Sequence, residues 1–137
     1  MSIPPIFTRL WPLALLLLTA TCQQRRPAVH ATSPASMKQL EGTWLSSREE
    51  DRGDTLVYRP NTHRFPPTRG RTGFTIKTFG RFEQFDIAPT DGLDFHPGTW
   101  TTAGPTRLRI HLTNGHNPDY TLEIISLEKQ VLKLRRL

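Results

Sequence analysis

From about Met37 to Leu137 apolar and polar residues alternate in short runs broken by Gly, Pro, Asn and Asp. That period of two marks half-buried strands, not amphipathic helices. The cleanest run is Thr106 to Thr113, with Leu108, Ile110 and Leu112 on one face and Arg107, Arg109 and His111 on the other. Before it the same reading gives strands over Thr43–Ser47, Thr55–Arg59, Gly73–Phe79, Arg81–Ile87 and Thr99–Thr102. After it come a seventh strand with Tyr120, Leu122 and Ile124 on one face, and an eighth over Val131–Arg136. In the second, Leu56 and Tyr58 share one face and Val57 takes the other; in the third, Phe74 goes with Ile76. A short helical turn, Ser36 to Leu40, precedes the first strand, with Ser33 or Ser36 as its cap.

The connections carry turn chemistry. Glu49 to Asp54 is a charged turn, Gly80 a tight one, Pro89 to Pro97 a loop, and Asn114-Gly115 starts another turn. Arg59 to Arg71 is a long proline-rich loop, expected to lie over one mouth of the fold. Eight short strands joined this way predict an all-β protein: an eight-stranded antiparallel up-and-down barrel whose closure protects every strand edge. Eight is also the number at which side chains just fill the interior, or leave room for one small ligand.

Composition agrees. An apolar fraction of 36% with 12 prolines and 9 glycines in 137 residues suits many turns and a modest core. The net charge of +6 raises the question of nucleic acid, but the arginines are scattered and form no dense basic run. No nucleic-acid partner is therefore expected, and a monomer is.

The first residues are of another kind. Arg9 precedes an apolar core through Leu18, too short to span a bilayer but suited to a signal peptide. Ala20 and Thr21, both small, lead into Cys22, the single cysteine of the chain. The arrangement resembles a bacterial lipoprotein lipobox, although Thr19 stands where leucine is usual. An internal disulfide is impossible with one thiol, and acylation of Cys22 would account for it. The alternative is an ordinary signal peptide with an unrelated cysteine. The expected organisation is a signal peptide over 1–21, a lipidated cysteine and flexible tether over 22–35, and the barrel over 36–137. The place implied is the cell envelope, anchored to a membrane by acyl chains such as palmitate.

Leu40-Glu41-Gly42-Thr43-Trp44-Leu45 sits at the head of the strand series. With its Gly-x-Trp and the terminal Arg135-Arg136, the segment from Met37 to Leu137 is similar to lipocalin-like barrels. The segments Arg71-Thr72-Gly73-Phe74 and Gly80-Arg81-Phe82 resemble short bacterial members of that kind. The resemblance implies that Gly42 lets the chain pass close under the sheet and that Trp44 plugs one end. It also implies that an arginine of the last strand lies over the indole. Alternation puts Arg136, not Arg135, on the face of Leu132 and Leu134, so Arg136 is the expected partner.

Sites for chemistry are scarce. There is no nucleophile elbow, phosphate loop, dinucleotide fingerprint or cysteine pair for zinc. The five histidines are far apart, and only His111 and His116 flank one turn. Asp91-Gly92-Leu93-Asp94 lacks calcium-loop spacing, and Glu83 and Asp86 face opposite ways on one strand. No metal, cofactor or catalytic residue is expected. Two functions fit: a membrane-anchored binding protein for a small hydrophobic or amphipathic molecule, or an inhibitor-like barrel with a packed interior acting through its loops. For the first, the expected lining is Tyr58, Phe74, Ile76, Trp100 and Tyr120. An interior cavity of ~300 Å³ or more would separate the two.

Overall fold

The computed structural model describes residues 34–114 and 118–137. Cys22, the signal segment and His116 lie outside them. A helix, α1 (Pro34–Leu40), leads into eight strands: β1 (Gly42–Ser46), β2 (Leu56–Pro60), β3 (Gly73–Ile76), β4 (Arg81–Ile87), β5 (Leu93–Thr102), β6 (Arg107–Leu112), β7 (Tyr120–Glu128) and β8 (Val131–Arg136). Pro34 opens α1, where a fixed φ and a missing N–H cost nothing. Ser36 therefore lies inside the helix and does not cap it.

The strands close into an antiparallel barrel in the order β1-β2-β8-β7-β6-β5-β4-β3, with β3 pairing back onto β1. From β3 to β8 this is a meander. The departure from an up-and-down order is at β2, which sits between β1 and β8. The chain from β2 to β3 must then cross β1. It leaves beside Thr43, whose carbonyl accepts from Asn61 N–H, and arrives beside Ser46, whose N–H donates to the Thr72 carbonyl. The proline-rich loop is thus a strap over the outer face of β1, not a lid on the mouth.

Alternation sets the faces. In β6 every second residue, Leu108, Ile110 and Leu112, is buried, and Leu132 and Leu134 do the same in β8. β7 buries Tyr120, Leu122 and Ile124. A bulge between Ile124 and Ser126 then shifts the register, so Leu127 also packs on the core while Ile125 turns outward. Two strands differ most in length from the expected ones, while β6 is shorter by one residue at each end. β3 stops at Ile76 because Lys77 N–H bonds the Arg81 carbonyl across a turn holding Phe79 at φ 59° and Gly80 at φ 71°. β5 begins at Leu93, not near Thr99, and runs through Pro97. The Pro97 carbonyl accepts from Thr113 N–H just past the end of β6, so the missing donor falls where the ladder is finishing.

One end of the barrel is closed by indoles. Trp44 is 5% exposed and its Nε1 donates to the Leu40 carbonyl at 2.8 Å, tying α1 to the core. Trp100 packs on the same core and its Nε1 donates to the Lys77 carbonyl at 3.0 Å. Arg136 is not the partner of Trp44. Trp44 is level with Pro60, while Leu56, four residues along β2, is level with Leu134, two residues short of Arg136. Six residues of strand, about 20 Å, separate the two side chains. β8 simply runs away from the closed end. Gly42 also differs from expectation: a Cβ there would meet open space, and its φ of 130° is what requires glycine. The close approach belongs to Gly73, where a Cβ would strike the Trp44 carbonyl and the Phe85 ring.

Candidate functional site

The end opposite the indoles is open, and strand geometry builds a cup in it. Alternation turns Tyr58 of β2, Phe74 of β3, Gln84 and Asp86 of β4, Tyr120 of β7 and Arg136 of β8 into the mouth, and Arg48 leans in from the 3-10 turn Arg48–Glu50. The hollow they line measures about 200 Å³. Its floor is aromatic. Tyr58 and Phe74 pack with ring centroids 4.9 Å apart, and Phe74 stacks on Phe82 at 5.6 Å. Below this the interior is filled by Ile76, Leu108, Ile110 and Leu132, each at most 2% exposed. An apolar guest of ordinary size has no room inside the barrel.

One wall is a polar chain. The Arg136 guanidinium lies 3.9 Å from the centre of the Tyr120 ring. Tyr120 Oη donates to Gln84 Oε1 at 2.7 Å, and Gln84 Nε2 donates to Asp86 Oδ2 at 2.8 Å. Asp86 Oδ2 is 3.6 Å from His96 Nε2, which lies equally far from Asp94 Oδ2. Asn114 Nδ2 is 2.7 Å from His96 Nδ1. An amide nitrogen only donates, so Nδ1 accepts and the neutral ring carries its proton on Nε2, towards the two carboxylates. Burial, above all, pushes the Tyr120 phenol well above its ordinary pKa, with Arg136 pulling the other way. Tyr58 is raised for the same first reason. Both phenols are therefore neutral donors at physiological pH.

The other feature of the cup is unspent donors. Arg59 pairs with Glu50, Arg71 with Glu49, Arg107 with Glu123, and Arg135 with Asp54 and Glu123. Arg48 and Arg136 have no carboxylate among the described residues, and Tyr58 Oη makes no hydrogen bond there. Two guanidiniums and a phenol thus face one hollow whose single carboxylate, Asp86, already accepts from Gln84.

Of the residues expected to line a ligand site, Tyr58, Phe74 and Tyr120 come together in the cup. Ile76 is buried in the core below, and Trp100 belongs to the closed end. Sequence reasoning missed Arg48, Gln84 and Asp86. Gln84 and Asp86 share the inward face of β4 with Phe82, so the signal was a polar pair on the core side of a strand. Arg48 sits in a charged turn and carried no signal.

Outside the barrel the strap is fastened by Arg71. Its guanidinium donates to the Ser46 and Pro66 carbonyls and to both Glu49 oxygens, and lies 4.3 Å from the Phe65 ring centre. Between strap and sheet is a groove of about 540 Å³, walled by Leu45, Phe65, Phe85, Ile87 and Leu93. Neither a family model nor a curated protein nor a solved structure matches the chain.

Proposed function

We propose that the chain is a non-catalytic binding protein of the bacterial cell envelope, lipocalin-like in plan and tethered through Cys22, that takes the anionic head of a small amphipathic molecule into the cup. The observation that carries this is the convergence of Arg48, Arg136 and Tyr58 on one hollow whose single carboxylate, Asp86, already accepts from Gln84, neither arginine having an ion pair among the described residues. A carboxylate or phosphate entering there would gain charge-assisted hydrogen bonds, each worth about 1.5–3 kcal/mol. The aromatic floor supplies contact for the first carbons behind the head. The cup is too small to enclose more.

Calorimetric titration with butyl phosphate, butyrate and neutral butanol tests the reading. The two anions should bind and butanol should not. Arg136→Ala and Arg48→Ala should each weaken anion binding about tenfold or more, whereas Arg81→Ala, on the outer face of β4, should leave it unchanged. Equal binding of butanol, or indifference to Arg136→Ala, overturns the proposal.

A further inference from the structure

The cup does not stand alone. A second hollow, of about 350 Å³, lies between the β1–β2 turn and the strap, lined by Ser46, Arg48 and Glu49 on one side and by the strap and Ile87 on the other. It shares Arg48 and Thr72 with the cup, and Pro66 to Arg71 with the groove under the strap. The three hollows therefore follow one another over the rim of the barrel. Their chemistry changes along the way. At the inner end stand the guanidiniums of Arg48 and Arg136. At the outer end stand Phe85, Ile87 and Leu93, the last two 40% and 47% exposed.

From this juxtaposition we infer that the ligand is a long-chain anionic amphiphile, an alkyl carboxylate or alkyl phosphate, whose tail leaves the cup over the rim and lies in the groove beneath the proline-rich strap. The inference rests on the cup reading above and adds the ligand's length. The groove suits a tail for two reasons. Arg71 fixes the strap to β1 and to the β1–β2 turn through three hydrogen bonds and braces the strap internally through a fourth, to the Pro66 carbonyl, so the space stands open without a ligand to prop it. Its volume lies in the range of small-molecule sites, which the cup alone does not reach. Gly73 serves both compartments: it lines the cup, and the Phe85 ring that walls the groove lies where its side chain would be.

The test is a chain-length series of n-alkyl phosphates from butyl to dodecyl, titrated calorimetrically below their micellar concentrations into the full-length chain. Affinity should rise by up to about fourfold per methylene until the groove is filled. In Leu93→Gln and Ile87→Gln, both neutral changes at half-exposed positions, the rise should flatten while butyl phosphate binds as before. In Arg136→Ala both short and long members should weaken. Butyl phosphate binding without any rise overturns the inference and leaves the cup reading standing. A rise that persists in both glutamine variants also overturns it, because the tail then lies elsewhere than the groove. No binding of butyl phosphate, with Arg136→Ala silent throughout, removes the cup reading and the inference together.

Discussion

The two ends of the barrel should separate stability from binding. Trp44 is 5% exposed, packs beside Leu40 and holds the Leu40 carbonyl with its indole N–H. Truncation to alanine opens a large cavity at the closed end and leaves that carbonyl without its partner, a cost of about 3–5 kcal/mol. Trp44→Phe keeps most of the burial and loses the hydrogen bond, and should cost about 1–3 kcal/mol. Arg136 is exposed and lies over the face of Tyr120 at 3.9 Å. Arg136→Ala should therefore cost only about 0.5–1 kcal/mol of stability. In anion binding the order reverses: Arg136→Ala loses at least about tenfold, and Trp44→Phe, at the far end, leaves affinity within about twofold. Urea unfolding followed by circular dichroism gives the first ranking, and calorimetry with butyl phosphate the second. Should Arg136→Ala destabilise by more than about 2 kcal/mol, the separation of the two side chains along the barrel is wrong. Should Trp44→Ala cost less than about 1 kcal/mol, the indole does not close the barrel.

Three further outcomes are expected. Gly73→Ala should destabilise by about 2–4 kcal/mol in thermal melts, since the new methyl meets the Trp44 carbonyl and the Phe85 ring and the β1–β3 ladder must part; a neutral effect would mean the strands can separate freely. Arg59 holds the Glu50 carboxyl down from 4.5 to about 2, so this pair stabilises above pH 4.5 and the benefit is lost as pH falls through about 2. With the side chains 36% and 22% exposed the effect is discounted to about 1 kcal/mol; Glu50→Gln should be less stable than the parent at pH 7 and equal to it near pH 2, and a constant difference across that range would refute the linkage. Cys22→Ser should turn a protein that partitions into detergent into one that does not; equal partitioning of the two would sink the acylation reading.

The barrel was legible because one face of each strand is buried, and burial enforces a period of two. β6 follows the pattern residue by residue, and β8 does so through Leu134. The strand order was less legible. Short strands of similar polarity do not say whether β2 lies beside β3 or beside β8; that is settled by which pairs meet, such as Leu56 with Leu134 and Trp44 with Phe74. The strap was read as a loop correctly, but its path over β1 follows only from that order. β5 was misjudged because Pro97 looks like a breaker, and its cost depends on which neighbour its N–H side faces, which no single strand reveals.

Arg136 shows why the site was harder to read than the fold. Alternation gave its face correctly: it points inward with Leu132 and Leu134. What alternation cannot give is height along the barrel, because that depends on the register of β2 against β1 and of β8 against β2 together. An inward arginine near the indole would be a structural cap, whereas the same arginine about 20 Å away is a cation at an open mouth. The difference decides what the residue does. At the closed end its charge would be covered by Trp44; at the open end it lies over Tyr120, with no ion pair among the described residues, on the hollow that Arg48 also lines. Guanidinium donors that meet no carboxylate among the described residues, at a concave, half-apolar mouth, are what the proposed anionic head would satisfy.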